Sequence, residues 1–494
     1  MDQNRAPYFQ ALLDYVDAGV LPFHTPGHVQ GVGMDLAFRE FVGENICAID
    51  LTPMPGIDDL LQPTEAIKEA QELAAEAYGA DNTFFLINGS TSGNQCMMMT
   101  AVNPGDKIAV PRNSHKSMLG GLVMSGAEPV YMPPEVDEEL RVDHCVTPQT
   151  VAATLARHPD LAAVYLVSPT YYGVAADLAS IERLVHDAGK LLLIDEAWGP
   201  HFHFHPALPL SATAAGADLC INSTHKMLSS FSQCAMLHQK GERVRLDRLK
   251  GVLKMFLSTS PNLPMVASLD VARKQMATEG EALLSRTIEL AQETRARLNR
   301  IDGIYCFGEE IVGKNGVFDL DPTKIAVTVK GLGYTGYEAS AILRRRYNIQ
   351  VELADLFNVV ALFTIGTTRD AAERLIFAFE ELARDDRPID MFAPSGILEE
   401  RLRRGTFRLP AVPPMRMLPR EAFLAPAEFV KFKESVRRIC AETLTPYPPG
   451  IPVIAPGEEI TQEIVDYLRL ELKAGVRIQG PEDDELRIIR VVKE

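Results

Sequence analysis

The chain has 494 residues, 46% hydrophobic and 23% charged, which suits two or three domains and excludes disorder over most of its length. Lys and Arg number 49 against 66 Asp and Glu, a formal net charge of −17 that argues against nucleic acid and anionic membranes as main partners. No apolar run approaches the ~20 residues of a membrane span. Met1 to Pro7 lacks a basic patch followed by an apolar stretch, so no secretory leader is expected. The seven cysteines (Cys47, Cys96, Cys145, Cys220, Cys234, Cys306, Cys440) form no CxxC pair and read as reduced thiols of a cytoplasmic protein.

Residues 1–61 read as an N-terminal segment. From Gln62 helical and strand patterns alternate, and a large domain is expected over 62–285. Pro63 marks a helix start, Ile67, Ala70, Ala74 and Ala77 recur at helical spacing, and Gly79 closes the helix. Strand-type runs follow at Thr83–Ile87, Lys107–Val110, Ala162–Val167, Leu191–Ile194 and Leu219–Ile221, with helix-length segments between them such as Ala176–Ala188. Short apolar strands separated by helices predict an α/β fold with a mostly parallel sheet, whose ligands gather at the carboxyl ends of the strands. Glu279–Arg300 is a long amphipathic helix leading into a smaller α/β domain, 286–387. Its strands are expected at Lys324–Val329 and Val359–Phe363, its helices at Tyr337–Arg346 and Ala371–Arg384. From Pro388 proline and arginine become frequent, and a C-terminal subdomain with extended connections is expected over 388–494.

Three strand-end segments carry chemistry. Asn88-Gly89-Ser90-Thr91-Ser92-Gly93-Asn94 follows a strand and opens a helix, an arrangement that lets backbone N–H groups meet a phosphate, or simply caps a helix. Leu191–Ile194 delivers Asp195 to a strand end, where a carboxylate can meet a cation, a metal or a protonated ring nitrogen, or cap a helix. Ile221-Asn222-Ser223-Thr224-His225-Lys226 ends another strand in a lysine. Partial desolvation there would lower its pKa and make it a Schiff-base amine, against the ordinary solvated lysine. Phosphate cradle, carboxylate and amine on separate strand ends are what pyridoxal 5′-phosphate requires.

On these segments, and on Phe23–His28 (FHTPGH), Pro111–Ser117 (PRNSHKS), Ser168–Gly173 (SPTYYG) and Asp195–Trp198 (DEAW), the sequence resembles the Orn/Lys/Arg decarboxylases of fold type I, the aspartate-aminotransferase fold. The likeness covers nearly the whole chain and is to the short form lacking an N-terminal receiver-like wing, as in compact bacterial arginine decarboxylases. It implies that Lys226 holds pyridoxal phosphate, Asp195 keeps the pyridine nitrogen protonated, His115 stacks on the ring and Ala197 packs the opposite face beside Trp198. Ser90, Thr91 and Ser92 bind the phosphate with Ser223 and His225. Thr259, in Ser258–Pro261, reaches the phosphate of a neighbouring subunit, so a homodimer with shared sites is implied and higher assembly stays open. Lys226 or His225 returns a proton to Cα after CO2 leaves.

For the distal end of a basic substrate the candidates are Glu352 and Asp355, with Asp58 and Asp59 in the N-terminal region as a second pair that would reach a partner's site. Two departures from the relatives' pattern bear on the substrate: Leu61 follows Asp-Asp-Leu where histidine is usual, and Trp198 stands where many short forms have histidine. The leading expectation is arginine to agmatine in polyamine biosynthesis, with lysine to cadaverine and ornithine to putrescine as alternatives. A transaminase using Arg369 for the substrate carboxylate and a non-catalytic regulator are the more distant readings. His201, His203 and His205 alternate like metal ligands on a strand, but no Cys or Asp completes them and no metal is expected.

Overall fold

The computed structural model describes residues 1–384, 410–447, 450–473 and 476–494. The expected boundary at 387/388 lies outside the described residues. The fold divides into two compact units. One comprises Met1–Thr100, Leu191–Arg286 and Thr364–Gly366, the other Ala101–Lys190, Thr287–Phe363 and Thr367–Glu494.

In the first unit four strands lie side by side in the order Asn82–Leu86, Ala235–Gln239, Leu219–Asn222, Leu191–Asp195. The last pair is parallel, with Asp195 opposite Ile221; the other pairs are antiparallel, with Thr83 opposite His238 and His238 opposite Cys220. Ala235–Gln239 is absent from the sequence expectation because its last two residues, His238 and Gln239, are polar although buried. The N-terminal helix Pro7–Asp17, the helix Ala66–Ala77 and the start of the 36-residue helix Leu263–Leu298 share a core of Tyr8, Leu12, Ile67, Ala74, Phe85 and Val266.

The entry to Ala66–Ala77 corrects one expectation. The Asp58 carboxylate accepts from the backbone N–H groups of Thr64, Glu65 and Ile67 at 3.0, 3.0 and 2.9 Å, and Asp59 accepts from Leu61 N–H at 2.9 Å. Asp58 satisfies helix-start donors that have no partner within the helix, so it is a cap and not a substrate ligand.

In the second unit three parallel strands run in the order Leu161–Val167, Lys107–Pro111, Glu128–Met132. A four-stranded antiparallel sheet follows, in the order Tyr305–Cys306, Lys324–Thr328, Asn358–Leu362, Leu353–Ala354. The helix Gly336–Arg346, begun by a Thr335/Glu338 capping box, and the helix Arg369–Ala383 share its core of Ile325, Val327, Leu343, Val359 and Phe379. Beyond residue 410 the expected extended connections are a folded subdomain with its own core, including Phe432, Leu444, Ile464, Leu468 and Ile489. Ala427–Lys431 pairs antiparallel with Ile488–Val492, and Gln462–Lys473 is a helix. No helix among the described residues is long and apolar enough to cross a membrane.

Candidate active site

Asp195 ends an apolar strand and is 4% exposed. A buried carboxylate needs donors, and it has them: Asn94 Nδ2 donates to Oδ2 at 2.7 Å, and the Ala197 N–H donates to Oδ1 at 3.0 Å. Asn94 lies on the buried face of the helix Gly89–Ala101. That helix approaches the strands closely because residue 93 is glycine; a Cβ there would sit 2.3 Å from Ile221 Cδ1.

Glu196 belongs to a chain of buried polar groups. Ala212 N–H donates to its Oε1 at 2.7 Å, and Asn222 Nδ2 donates to its Oε2 at 2.9 Å. Asn222 Oδ1 accepts from His238 Nε2 at 2.9 Å, and His238 Nδ1 meets Thr83 Oγ1 at 2.8 Å. Because the Asn222 oxygen accepts, His238 carries its proton on Nε2 and takes the Thr83 hydroxyl on Nδ1. Burial pushes Glu196 up to about 7 and His238 down to about 3.

Lys226 lies in the helical turn Thr224–Met227 that follows the strand Leu219–Asn222. Its Nζ stands 3.8 Å from the ring centroid of Trp198, which is 6% exposed, a cation–π contact. His225 donates from Nδ1 to the Cys234 carbonyl at 2.8 Å, since a carbonyl only accepts. Burial lowers the His225 pKa, the Cys234 hydrogen bond opposes this, and the Lys226 charge adds to the lowering. The neutral ring therefore presents a lone pair at Nε2.

Ser90, Thr91 and Ser92 form the first turn of the helix Gly89–Ala101, where backbone N–H groups have no partner within the helix. Gly89, at φ +71°, makes the turn into it. Ser223 Oγ donates to Ser90 Oγ at 2.7 Å and joins the lysine-bearing turn to this helix start. Ser92 Oγ turns back to the Gly89 carbonyl at 2.9 Å, which leaves its N–H as the group to offer an anion. A donor-rich helix start, a buried carboxylate held by an amide and a half-buried amine fit pyridoxal phosphate in kind.

The remaining predicted residues fall elsewhere. Thr259 is exposed in the segment Ser258–Ser260. His115 lies in the second unit as N-cap of the helix Lys116–Ser125, its Nδ1 accepting from the Ser117 N–H at 3.2 Å. Glu352, also in the second unit, is exposed, and its N–H pairs with the Val360 carbonyl at 3.0 Å. Asp355 is a correction. Its carboxylate accepts from the Tyr172 hydroxyl, from the Phe357 and Asn358 N–H groups at 2.7 Å each, and from Asn358 Nδ2 at 3.0 Å. It shapes its own loop rather than facing a ligand, and burial raises its pKa. Arg369 pairs with Glu293 at 2.8 Å on the surface.

His201–His205 is not a strand: Phe202–Phe204 is a 3₁₀ turn, which breaks the period-two alignment. His203 Nδ1 bonds Ser211 Oγ and His205 Nε2 bonds Ser285 Oγ. No group of three metal-ligating side chains occurs among the described residues. Sequence reasoning missed Asn94, Asn222 and His238. Polar residues inside otherwise apolar strands and on a buried helix face were the available signal.

Residues 6–371 match the model of the Orn/Lys/Arg decarboxylase major domain, and residues 401–484 that of its C-terminal domain. The chain belongs to the Orn/Lys/Arg decarboxylase family. It is an amino-acid decarboxylase, similar over 100% of its length and 99% of the relative's to an arginine decarboxylase of Bacillus subtilis at 44% identity. A Francisella novicida lysine decarboxylase structure matches with a TM-score of 0.88 at 26% identity, over 99% of this chain and 81% of that one. An alanine–glyoxylate aminotransferase from Nostoc shares the fold with a TM-score of 0.53 at 20% identity, over 67% of this chain and 89% of its own. The α/β expectation and the family resemblance are both borne out.

Proposed function

We propose that this decarboxylase uses pyridoxal phosphate to convert arginine to agmatine and CO2, a step toward polyamines. The observation that carries the reading is the Asp195 carboxylate fixed by Asn94 in the same unit as Lys226, whose amine lies on the Trp198 face. The arginine assignment rests on the full-length likeness to an arginine decarboxylase.

Lys226 would hold the cofactor through its amine, and Asp195 would keep its ring nitrogen protonated. The N–H groups of Ser90, Thr91 and Ser92, with the Ser223 hydroxyl, would take the phosphate; His225, its Nδ1–H committed to the Cys234 carbonyl, has no ring N–H left to donate to it. Ala197 and Trp198 would pack against the ring, and His115 is the residue read as stacking on it. When bound, pyridoxal phosphate supplies a protonated ring that accepts the electron pair left as the Cα–carboxylate bond breaks. Asn94 keeps the Asp195 carboxylate from rotating away from that ring nitrogen. Lys226 delivers the proton to Cα. His225, neutral with Nδ1 committed to Cys234, serves as the acceptor that relays protons rather than their source. Glu352 takes the guanidinium of the substrate.

A second copy completes the site by supplying Thr259. Leu21, Phe23, Phe38 and Phe41 are 75%, 94%, 55% and 90% exposed in the N-terminal segment, which supports a homodimer that covers them. The seven cysteines are free and buried, which supports a cytoplasmic setting.

The test is to mix the protein with pyridoxal phosphate and, separately, arginine, lysine and ornithine, and to identify products by mass spectrometry. Agmatine from arginine, absent with Lys226→Ala, is the expected result. Cadaverine or putrescine as the dominant amine would move the substrate. No amine from any of the three would overturn the reading.

A further inference from the structure

His115 is delivered by a loop whose preceding side chains reach away from it on two sides. Arg112 donates from Nη2 to the Val453 carbonyl at 2.8 Å and to Glu458 Oε2 at 3.1 Å, and its guanidinium carbon lies 5.0 Å from the Tyr131 ring centroid. Glu458 is 0% exposed and also accepts from the Ala455 N–H at 2.8 Å. Asn113 donates to the His144 carbonyl at 3.0 Å, and His144 Nδ1 is held by the Asn315 carbonyl at 2.8 Å. Ser114 Oγ closes the loop on the Pro111 carbonyl at 2.8 Å. All these residues belong to one compact unit.

A buried ion pair is a poor source of net stability, because desolvation offsets the attraction; what it supplies is a fixed geometry. The planar guanidinium serves a carbonyl and a carboxylate at once and lies near an aromatic ring, which a lysine could not reproduce. We propose that Arg112 is a positioning residue: with Glu458 and the Val453 carbonyl it forms a strut through which the C-terminal subdomain sets the orientation of His115 toward the cofactor. The inference rests on the reading of His115 as a flank of the pyridoxal ring. It assigns the C-terminal subdomain a part in the site beyond its own fold.

The test compares His115→Ala, Arg112→Lys and the double variant Arg112→Met/Glu458→Met, each loaded with pyridoxal phosphate. The double variant removes both charges while keeping volume, a replacement that buried pairs tolerate. The readouts are the visible circular dichroism of the bound cofactor, thermal unfolding, and kcat and KM separately. The expected result is a weakened dichroic band in all three with unfolding retained, and kcat lowered by about 10- to 100-fold in both Arg112 variants at little changed KM. An unchanged band and kcat in the folded Arg112 variants overturns the strut while leaving His115 as read. An unchanged band in His115→Ala removes the ring contact and the strut with it. Loss of the folded state in both Arg112 variants makes the pair a fold element and overturns the proposal as well.

Discussion

Asp195 closes a strand and His115 lies in the loop that follows one, yet they are secured differently. Asp195 is held by one amide from a helix packed on its own strands and by the backbone N–H two residues on. Beneath it a neutral chain, Thr83, His238, Asn222 and Glu196, crosses four neighbouring strands or strand ends. The loop of His115 instead depends on Arg112, whose carboxylate partner lies 346 positions along the chain. The first arrangement distributes its hold over many modest hydrogen bonds. The second concentrates it in one buried charge pair, where losing one partner strands the other.

The comparison can be broken most forcefully at Asp195. Asp195→Ala should lower kcat by on the order of 10³-fold, while Asn94→Ala, which removes one charge-assisted hydrogen bond, should cost about 10- to 100-fold. Steady-state kinetics with arginine would show whether that gap exists; equal losses would mean that Asn94 does more than orient.

The neutral chain also has a pH signature. His238, held down at about 3, is neutral in the fold but takes a proton when unfolded near 6.5. Its contribution to stability is complete above 6.5 and is lost as pH falls toward 3, by up to a few kcal/mol. Glu196, raised to about 7, has the opposite sign: its contribution is complete below about 4.5 and is lost as pH rises through 7. Between pH 4.5 and 6.5 the two contributions oppose and nearly cancel, so thermal unfolding should change little with pH in the native protein, whereas His238→Gln, which keeps only the Glu196 contribution, should gain stability as the pH falls. The same slope in both would break the assignment of these two groups.

Smaller effects sharpen the picture further. Gly93→Ala places a methyl 2.3 Å from Ile221 Cδ1 and should cost about 1–3 kcal/mol of stability, partly recovered by Ile221→Val. Denaturant melts of the single and double variants would reveal whether the recovery occurs. Arg369→Ala removes an exposed pair with Glu293, so stability should move by about 0–1 kcal/mol and kcat not at all. A large loss of activity would revive a role for Arg369 at the substrate carboxylate.

The legible part of the site was local in sequence. Gly89–Asn94, Asp195–Trp198 and Ser223–Lys226 each follow a short apolar run, and the structure puts each at a strand end. Carboxylates outside such motifs misled, because Asp58 and Asp355 look the same whether they face a ligand or their own backbone amides. The strand Ala235–Gln239 escaped because His238 and Gln239 are polar, and what buries them stands on neighbouring strands. Arg112 escaped for the same reason over a longer span: nothing near it in sequence announces Glu458.

Trp198 is the chain's single tryptophan, and it lies 3.8 Å from the Lys226 amine. All indole emission from a protomer therefore originates beside the Lys226 amine. On the proposed reading of Lys226, cofactor loading and substrate entry can each be followed as a change in that one fluorophore, in the native sequence and without a label.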